Sequence, residues 1–292
     1  MTASTVDESF DWLADLLTSL YVRVDDALPK RKQGRPPLVT DAELICLAIA
    51  QVLLRCASEA RFHRLWLTRL RPLFPTRIDL SQYNRRVRGL AAQILLVLNL
   101  LVDDAGARER TYRLLDSTPV PCGKSRTTAL RSALRGQANY GYCASHSRFY
   151  WGFRLFLHCT SDGWPIGFEL ADPKTGERVI GLEVLAQNDQ RGHLTFLDDG
   201  FKGRNFELGS AAGGATLCFK QARRDPVHAG FRLRIESVFW TLKDQLSLEA
   251  HGGRTDLGVI TRILQRLAAL AAGLWHNQNI GRPGRSLIAY DH

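Results

Sequence analysis

The chain has 292 residues, of which 45% are hydrophobic, and this size accommodates one large domain or two ordinary ones. Such a composition supports a sizeable core and excludes an intrinsically disordered chain. The formal net charge is +10. This excess of basic residues favours a polyanionic partner, either a nucleic acid or an acidic membrane surface.

Six cysteines are scattered along the sequence without a CxxC pair. A secreted disulfide scaffold is shorter and richer in cysteine, and a zinc site needs clustered ligands. The N-terminus is acidic and lacks the pattern of a signal peptide. The most apolar stretch, residues 89–102, is too short to span a bilayer and predicts a buried helix. We therefore expect a cytoplasmic protein with reduced thiols and no membrane partner.

The first part of the chain has the hydrophobic pattern of α-helices. Apolar residues recur at helical spacing between positions 10 and 20. Thr40, followed three residues later by Glu43, predicts a capping box at the start of another helix. Further helices are predicted over residues 58–70 and 83–102.

Charge is distributed unevenly over this helical part. Residues 1–26 carry a net charge of −5, whereas residues 27–110 carry +8. Arg85, Arg86 and Arg88 lie at the predicted start of a helix, where the helix dipole disfavours cations. We therefore predict that these arginines contact DNA phosphates, while a solvated helix face is the alternative interpretation.

Strands replace helices near residue 111. The sequence TYRLLDSTPVPC predicts a short strand that is cut off by its prolines. A hairpin follows in YWGFRLFLHCT and IGFELA, and two later strands are predicted in HLTFLDD and ATLCFK. The alternation of strands with helices favours an α/β fold with a mixed sheet and helices on both faces.

Residues 123–148 form a basic segment without any acidic residue. Because this segment offers little to bury, we predict an exposed or poorly ordered excursion that binds DNA. Its candidate phosphate contacts are Lys124, Arg126, Arg131 and Arg135.

Three acidic residues occupy positions suited to metal chemistry. Asp116 and Asp198 each end an apolar strand, and Glu236 lies opposite the apolar stripe of a predicted helix. Carboxylates beside a core are costly unless they are paired or metal-bound, and Mg²⁺ prefers oxygen ligands. Spacing alone leaves open a turn-forming Asp116 and a Glu236 that only pairs with Arg232. The helix face of Glu236 also carries Arg232, Trp240 and Lys243.

The segment FRLRIESVFWTLK resembles the Y-x2-R-x3-E-x6-K signature of the DDE transposases of bacterial insertion sequences. Arg232, Glu236 and Lys243 match this signature, whereas Ala229 occupies the tyrosine position. LDSTPVP is similar to the first-aspartate strand of these enzymes, and DDGFKG to their D-x-G-[YF]-x-G second-aspartate motif. GRPPLVTDAELICLAIAQ, YNRRVRGL and HNQNIGRPGRSLIAY resemble the IS982-type subgroup, so the resemblance covers most of the chain.

The resemblance implies an all-helical DNA-binding region over residues 1–110 and a ribonuclease-H-like catalytic domain over residues 111–292. It implies that Asp116, Asp198 and Glu236 are the catalytic carboxylates and hold two Mg²⁺ ions, for which Mn²⁺ is a substitute. Phosphate contacts near the cut strand are implied for Arg232 and Lys243. Trp240 and Lys202 complete the predicted DNA contacts, with Trp240 either stacking on a base or only packing as an amphipathic aromatic.

The implied activity is DNA transposition by phosphoryl transfer without a protein nucleophile. Water cuts the DNA at the ends of the element, and the released 3′-hydroxyl attacks target DNA. The expected partners are the terminal inverted repeats, the target DNA, and further copies of the chain in a homodimer or higher oligomer. The implied location is the bacterial cytoplasm, with association to the nucleoid when DNA is bound.

Two other functions are compatible with the same residues. A ribonuclease-H-like nuclease would cut DNA without joining it, and a transposase-derived regulator would bind DNA without catalysis. The presence of all three carboxylates counts against the regulator. His228 is a candidate replacement for the missing tyrosine. No metal role is assigned to the remaining candidate histidines, because they share no ligand spacing: His146, His158 and His193.

The second metal ligand is expected to be Asp198 and not its neighbour Asp199. Successive strand residues face opposite sides of a sheet, so only one of the two can point toward Asp116. Asp199 precedes Gly200 in a pair that strongly favours a turn. The spacing of the D-x-G-[YF] motif also selects Asp198.

Overall fold

The computed structural model describes residues 3–29, 34–123, 125–143, 147–220 and 225–287. The α-helices in these ranges are α1 (Ala3–Ala27), α2 (Asp41–Leu53), α3 (Glu59–Leu65), α4 (Leu80–Gly89), α5 (Ala91–Asp104), α6 (Arg126–Arg131), α7 (Glu177–Leu185), α8 (Arg204–Ala212), α9 (Pro226–Trp240) and α10 (Asp256–Asn279). The strands are β1 (Tyr112–Gly123), β2 (Asn139–Cys143), β3 (Arg148–Thr160), β4 (Pro165–Ala171), β5 (Leu194–Leu197) and β6 (Thr216–Cys218).

These elements form two compact units. The first contains the described residues up to Leu101, then Asp244–Gly252, and the described residues from Leu257 onward. The second contains Val102–Lys243 and Gly253–Asp256. The boundaries of these units differ from a single division at residue 110, because α10 belongs to the same unit as the N-terminal helices. The roles assigned to residues 1–110 and 111–292 stay predictions.

The predicted capping box at the start of α2 is present. The Glu43 N–H donates to the Thr40 hydroxyl at 3.1 Å, and the Thr40 N–H donates to the Glu43 carboxylate at 2.6 Å. These bonds satisfy donors that the first turn of a helix leaves unpaired. The helix predicted over residues 58–70 also begins at its expected cap, Ser58, and its last turn, Trp66–Leu70, is π-helical.

Two apolar helices differ in how much of their surface is buried. α10 is long and apolar enough to cross a membrane, with a mean hydropathy of 1.4, yet 83% of its apolar window is buried within the protein. Such burial is typical of a core helix. α5, which covers the apolar stretch predicted as a buried helix, is only partly buried, because Leu95 and Leu96 are exposed.

The helix predicted over residues 83–102 is two helices, and this corrects the placement of the arginine cluster. Asp79 caps α4, since its carboxylate accepts the Gln82 N–H at 2.8 Å. The cluster therefore occupies the last turns of α4, where the helix dipole favours cations, and the predicted unfavourable position is wrong. Arg86 pairs with Asp41 at 2.6 Å. The other two members of the cluster, Arg85 and Arg88, are exposed.

The second unit contains a mixed sheet, as predicted. Its order is β2–β3–β1–β5–β6, and β4 pairs with β3 along the edge that β2 also uses. β1 is antiparallel to β3 and parallel to β5, and β5 is parallel to β6. The α/β class is confirmed at this level, while the ribonuclease-H-like assignment stays a prediction.

β1 continues through its prolines, contrary to the sequence prediction. β5 pairs with β1 only as far as Leu115, so among the described residues that edge of β1 has no strand partner near Pro119 and Pro121. A proline removes no ladder bond at such an edge. On the other edge, Gly152 permits a close approach, because a Cβ there would lie 2.1 Å from the Val120 carbonyl oxygen.

The basic segment predicted as an excursion is more regular than expected. Its described residues form α6 and the edge strand β2. The side chains of Arg126, Arg131 and Arg135 are exposed, as predicted. Lys124 and His146 lie outside the described residues.

Asn277 connects α10 to α1 and to the chain that follows α10. Its side-chain oxygen accepts the Trp12 indole N–H at 2.9 Å. Its side-chain nitrogen donates to three carbonyl oxygens of the next turn, those of Pro283, Gly284 and Ser286. Asn277 is fully buried, so no solvent can replace these bonds.

We expect Asn277→Ala to lower the free energy of unfolding by about 2–4 kcal/mol, because it leaves buried donors and acceptors unsatisfied. Urea denaturation measures this change. The control is Asn279→Ala, two residues away on the same helix and exposed. Equal denaturation midpoints for the two variants would show that Asn277 has no such role.

Candidate active site

Asp116 and Asp198 follow the last paired residues of two neighbouring parallel strands. Leu115 of β1 pairs with Leu197 of β5, so the next residue of each strand is an aspartate. The carboxyl ends of parallel strands meet at one edge of a sheet, where ligands commonly bind. Asp116 and Asp198 also line one small cavity together with residues of α9. The structure therefore brings these two predicted ligands together.

The pKa of Asp116 is strongly perturbed by this setting. Burial raises the pKa from 3.8 to about 7, and the negative charges of Asp198 and Glu177 add to the increase. The Ser117 N–H donates to the Asp116 carboxylate at 2.7 Å, and this bond acts in the opposite direction. Two like charges held close together disfavour ionisation, and a bound cation would reverse that effect.

Asp198 and Asp199 have different surroundings. Asp199 is exposed, and the Lys202 amine contacts its carboxylate at 2.8 Å. This hydrogen bond lowers the pKa of Asp199. Asp198 instead lines the cavity that contains Asp116, and the short 3-10 turn Asp199–Phe201 begins directly after it. The local geometry supports Asp198 as the candidate ligand, while Lys202, a predicted DNA contact, is engaged by Asp199.

The α9 helix places Arg232 beside the two aspartates. Arg232 lines the small cavity with them, and its Nε donates to Glu236 Oε1 at 2.9 Å. That hydrogen bond raises the pKa of Arg232, and the charges of Asp198 and Asp116 raise it further. The guanidinium therefore interacts electrostatically with all three predicted carboxylates.

Glu236 is not gathered with the aspartates into a preformed metal cluster. Among the described residues, no group of three or more His, Cys, Asp and Glu side chains is placed to hold a metal ion. Glu236 is exposed, and its carboxylate pairs with Arg232 one helical turn away. The predicted convergence of three carboxylates is therefore limited to two, because the intrahelical pair holds the third. The assignment of Glu236 as a ligand stays a prediction.

The polar face predicted for α9 is present only as far as Trp240. Arg232, Glu236 and Trp240 are all exposed along this helix. A π-helical turn, Thr241–Gln245, follows at once and changes the direction in which later side chains point. Lys243 lies in this turn and is half-buried, so its place beside Glu236 stays a prediction.

His228 connects α9 to the end of β5. Its ring nitrogen Nε2 forms a hydrogen bond of 2.9 Å with the carbonyl oxygen of Leu197, the residue before Asp198. The ring is buried. This bond favours a positioning role for His228 over the phosphate contact suggested as a replacement for the tyrosine at Ala229.

The pair Glu177 and Arg154 adjoins Asp116 and is not apparent from the sequence. Glu177 begins α7, Arg154 lies on β3, and the two side chains form an ion pair. A Cβ on Gly200 would lie 2.6 Å from Glu177 Oε2, so Glu177 also contacts the turn after Asp198. An acidic residue in the first turn of a helix is common, and nothing local marks its position in space.

A larger cavity of about 760 Å³ is also lined by Asp198, His228 and Arg232. Its size is within the usual range for small-molecule sites, which is enough for a phosphate-containing fragment. The lining side chains carry both signs of charge. They include Asp198, Asp199, Lys220, Asp225, His228 and Arg232. Ala229 lines it as well, so the tyrosine position of the signature faces this cavity.

No family model matches this sequence, and no curated protein matches it. Among solved structures, the chain is similar to a cryo-EM structure of a piggyBac transposase synaptic complex with hairpin DNA. The TM-score is 0.46 and the sequence identity is 10%, with 97% of this chain and 77% of that chain covered. A likeness of this level determines no family and no function, so the membership in the DDE transposases stays a prediction.

The raised pKa of Asp116 predicts a pH-dependent stability. Because the folded pKa of about 7 lies above the ordinary value of 3.8, the folded protein binds more protons than the unfolded one between these pH values. The contribution of Asp116 to stability is therefore present at low pH and is lost as the pH rises toward 7. Asp116→Asn should be more stable than the unmodified protein at pH 8, by roughly 2 kcal/mol.

Urea denaturation at several pH values, with a chelator present, measures this difference. Asp199→Asn is the matched control, because the pKa of Asp199 is lowered and its carboxylate is exposed. A loss of stability in Asp116→Asn at pH 8 would contradict the assignment of a destabilising charge to Asp116.

Proposed function

We propose that this protein is a DNA transposase of the DDE type, which cuts DNA at the ends of an insertion sequence and joins those ends to a target. The supporting observation is the pair Asp116 and Asp198, which lie directly after the last paired residues of the parallel strands β1 and β5. Beside this pair, α9 carries Arg232 and Glu236 at the spacing of the transposase signature. A ribonuclease-H-like arrangement of the catalytic domain is part of the proposal.

The residues present fit a hard divalent cation. Asp116 and Asp198 offer carboxylate oxygens, which Mg²⁺ and Mn²⁺ prefer. A bound cation would offset both the burial, which is the main cause of the raised pKa of Asp116, and the smaller effect of the Asp198 charge. Glu236 would supply the third carboxylate by giving up its hydrogen bond with Arg232 and binding the cation instead. When bound, two Mg²⁺ ions supply Lewis acidity at the scissile phosphate.

The protein's own residues position the reacting groups. Arg232 offers guanidinium donors that suit a phosphate of the cut strand. His228 holds the end of β5 through the Leu197 carbonyl, which keeps Asp198 oriented. The Glu177–Arg154 pair holds the turn after Asp198 from the opposite side. Asp116, with a pKa of about 7, holds or releases a proton near neutral pH.

Exposed basic side chains supply the proposed contacts to DNA phosphates. Arg85 and Arg88 serve this role in the first unit, whereas Arg86 contributes to folding through its pair with Asp41. In the second unit, the proposed phosphate contacts are the exposed Arg126, Arg131 and Arg135. The exposed Trp240 is proposed to stack on a base, and the half-buried Lys243 is a further proposed contact. Joining two element ends requires two active sites, so we propose a dimer or a higher oligomer in the complex with DNA.

A transposase-derived DNA-binding regulator is the second candidate. Two observations favour it: Glu236 is held by Arg232, and Ala229 replaces the tyrosine at a position that lines the larger cavity. Metal-dependent cleavage of DNA that contains the element ends distinguishes the two functions, because the regulator would bind these ends without cutting them.

We expect Asp198→Asn to lower Mg²⁺-dependent cleavage by roughly a hundredfold or more, because it removes one of two adjacent ligands. Asp199→Asn should keep most of the activity, since its carboxylate is engaged by Lys202 outside the aspartate pair. Sequencing the products from DNA that carries the element ends measures both. Loss of cleavage in Asp199→Asn but not in Asp198→Asn would make Asp199 the metal ligand. Cleavage equal to that of the unmodified protein in both variants would exclude both residues as ligands.

Arg232→Ala should reduce cleavage by roughly tenfold or more and leave the melting temperature nearly unchanged, because an exposed ion pair contributes little to stability. Arg234→Ala is the matched control, since Arg234 is an exposed arginine on the same helix that lies over the Phe231 ring at 5.1 Å. A melting temperature that falls in parallel with activity would show that Arg232 is structural.

A further inference from the structure

Three exposed aromatic side chains form a surface on the ribbon made by β2 and the start of β3. Tyr140, Tyr142 and Phe149 are 50%, 54% and 77% exposed. Tyr142 and Phe149 are opposite each other in the strand register, and their ring centroids are 5.0 Å apart. We call these three residues the aromatic surface. Clustered exposed rings of this kind mark a binding site more often than a chance arrangement.

The ribbon has one covered face and one open face. On the covered face, Tyr150 lies over Gly141, where a Cβ would meet the Tyr150 ring at 2.6 Å and Pro173 at 2.8 Å. Tyr140 and Tyr142 lie on either side of Gly141 in β2. They point to the other face of the ribbon, because successive residues of a strand alternate between its two faces. Burial thus holds the ribbon in place and leaves the aromatic surface open.

The helix α6 lies on the same face of the ribbon as the aromatic surface. Trp151, which pairs with Tyr140 in the register, meets α6 near Gly123, since a Cβ on Gly123 would lie 3.1 Å from Trp151 and 3.2 Å from Thr128. The helix α6 is therefore next to the open face. The exposed arginines on α6 and its neighbouring segments are Arg126, Arg131, Arg135 and Arg148. No acidic residue occurs between positions 123 and 148.

We propose that the aromatic surface binds single-stranded DNA, with bases stacked on the rings and phosphates held by the arginines of α6. The choice of DNA rests on the proposed function, in which cleavage leaves strands with unpaired bases. Stacking on a ring requires a base whose face is open, so a duplex cannot use this surface. Tyr140 and Tyr142 are about 6.7 Å apart along the strand, which lets neighbouring bases each contact a ring.

Charge favours single-stranded DNA over a protein partner. Tyrosines are also common in protein interfaces, but charged residues are depleted from the centre of such interfaces. Here the segment that carries Tyr140 and Tyr142 contains exposed arginines and no acidic residue, which suits a polyanion. The competing occupant is a second copy of the chain, which would pair along the edge strand β2. The experiment below distinguishes this dimer from bound DNA.

The test measures binding by fluorescence anisotropy, with full-length protein, a labelled thymidine oligonucleotide or a duplex, and a chelator to prevent cleavage. Tyr142→Ala and Phe149→Ala should each weaken single-strand binding roughly tenfold and leave duplex binding within about twofold. Tyr142→Trp should retain the affinity. Arg131→Gln should reduce the dependence of affinity on salt, whereas the two alanine variants should leave it unchanged.

The control is Leu208→Ala, which removes an exposed apolar side chain from α8 and should change nothing. Unchanged single-strand affinity in both alanine variants overturns the proposal, and so does an equal loss on duplex DNA. A dimer that dissociates in these variants, seen by sedimentation, would assign the aromatic surface to contacts between copies. Because binding is measured without metal, a failure of cleavage in the unmodified protein would refute the transposase function and leave this result intact.

Discussion

The parallel pairing of β1 with β5 is the constraint on which the candidate site depends. The register of Leu115 with Leu197 leaves Asp116 and Asp198 as the next residue of each strand. Both leucines belong to the apolar cluster under α7 and α8, so this register is set by core packing. On the opposite face, the Phe196 ring stacks on Phe231 of α9 at 3.8 Å. The apolar contacts on both faces thus hold the two aspartates beside the core. Burial there, with a smaller contribution from the charge of Asp198, raises the pKa of Asp116 to about 7.

Features that depend on local sequence could be predicted, and those that depend on distant neighbours could not. The capping box of Thr40 and Glu43 and the turn after Asp198 are set by residues a few positions apart. The continuation of β1 through Pro119 depends instead on where β5 ends, which the sequence of β1 does not contain. The arginines of α4 were placed wrongly because a polar N-terminal turn, capped by Asp79, precedes the apolar pattern that indicated the helix.

The same distinction applies to the site. The Arg232–Glu236 pair follows from helical spacing, and its hydrogen bond was one of the two interpretations open from the sequence. Glu177 reaches the site from the start of α7, and Arg154 reaches it from the middle of β3. Neither belongs to a motif, and only the fold brings them to Asp116. Lys243 fits the signature spacing, but it lies in the π-helical turn after Trp240, whereas the spacing argument assumes a regular helix.

In the proposed function, the charges around the aspartates would link cation binding to phosphate binding. Each glutamate of the site has its own arginine, Glu177 with Arg154 and Glu236 with Arg232. Among the described residues, Asp116 and Asp198 form no direct ion pair and interact with Arg232 only at longer range. In the proposed function they are therefore the carboxylates that a cation would bind first. A cation that recruited Glu236 would release Arg232 to a phosphate. By thermodynamic linkage, a phosphate that engaged Arg232 would in turn release Glu236 to the cation, so each ligand would strengthen the binding of the other.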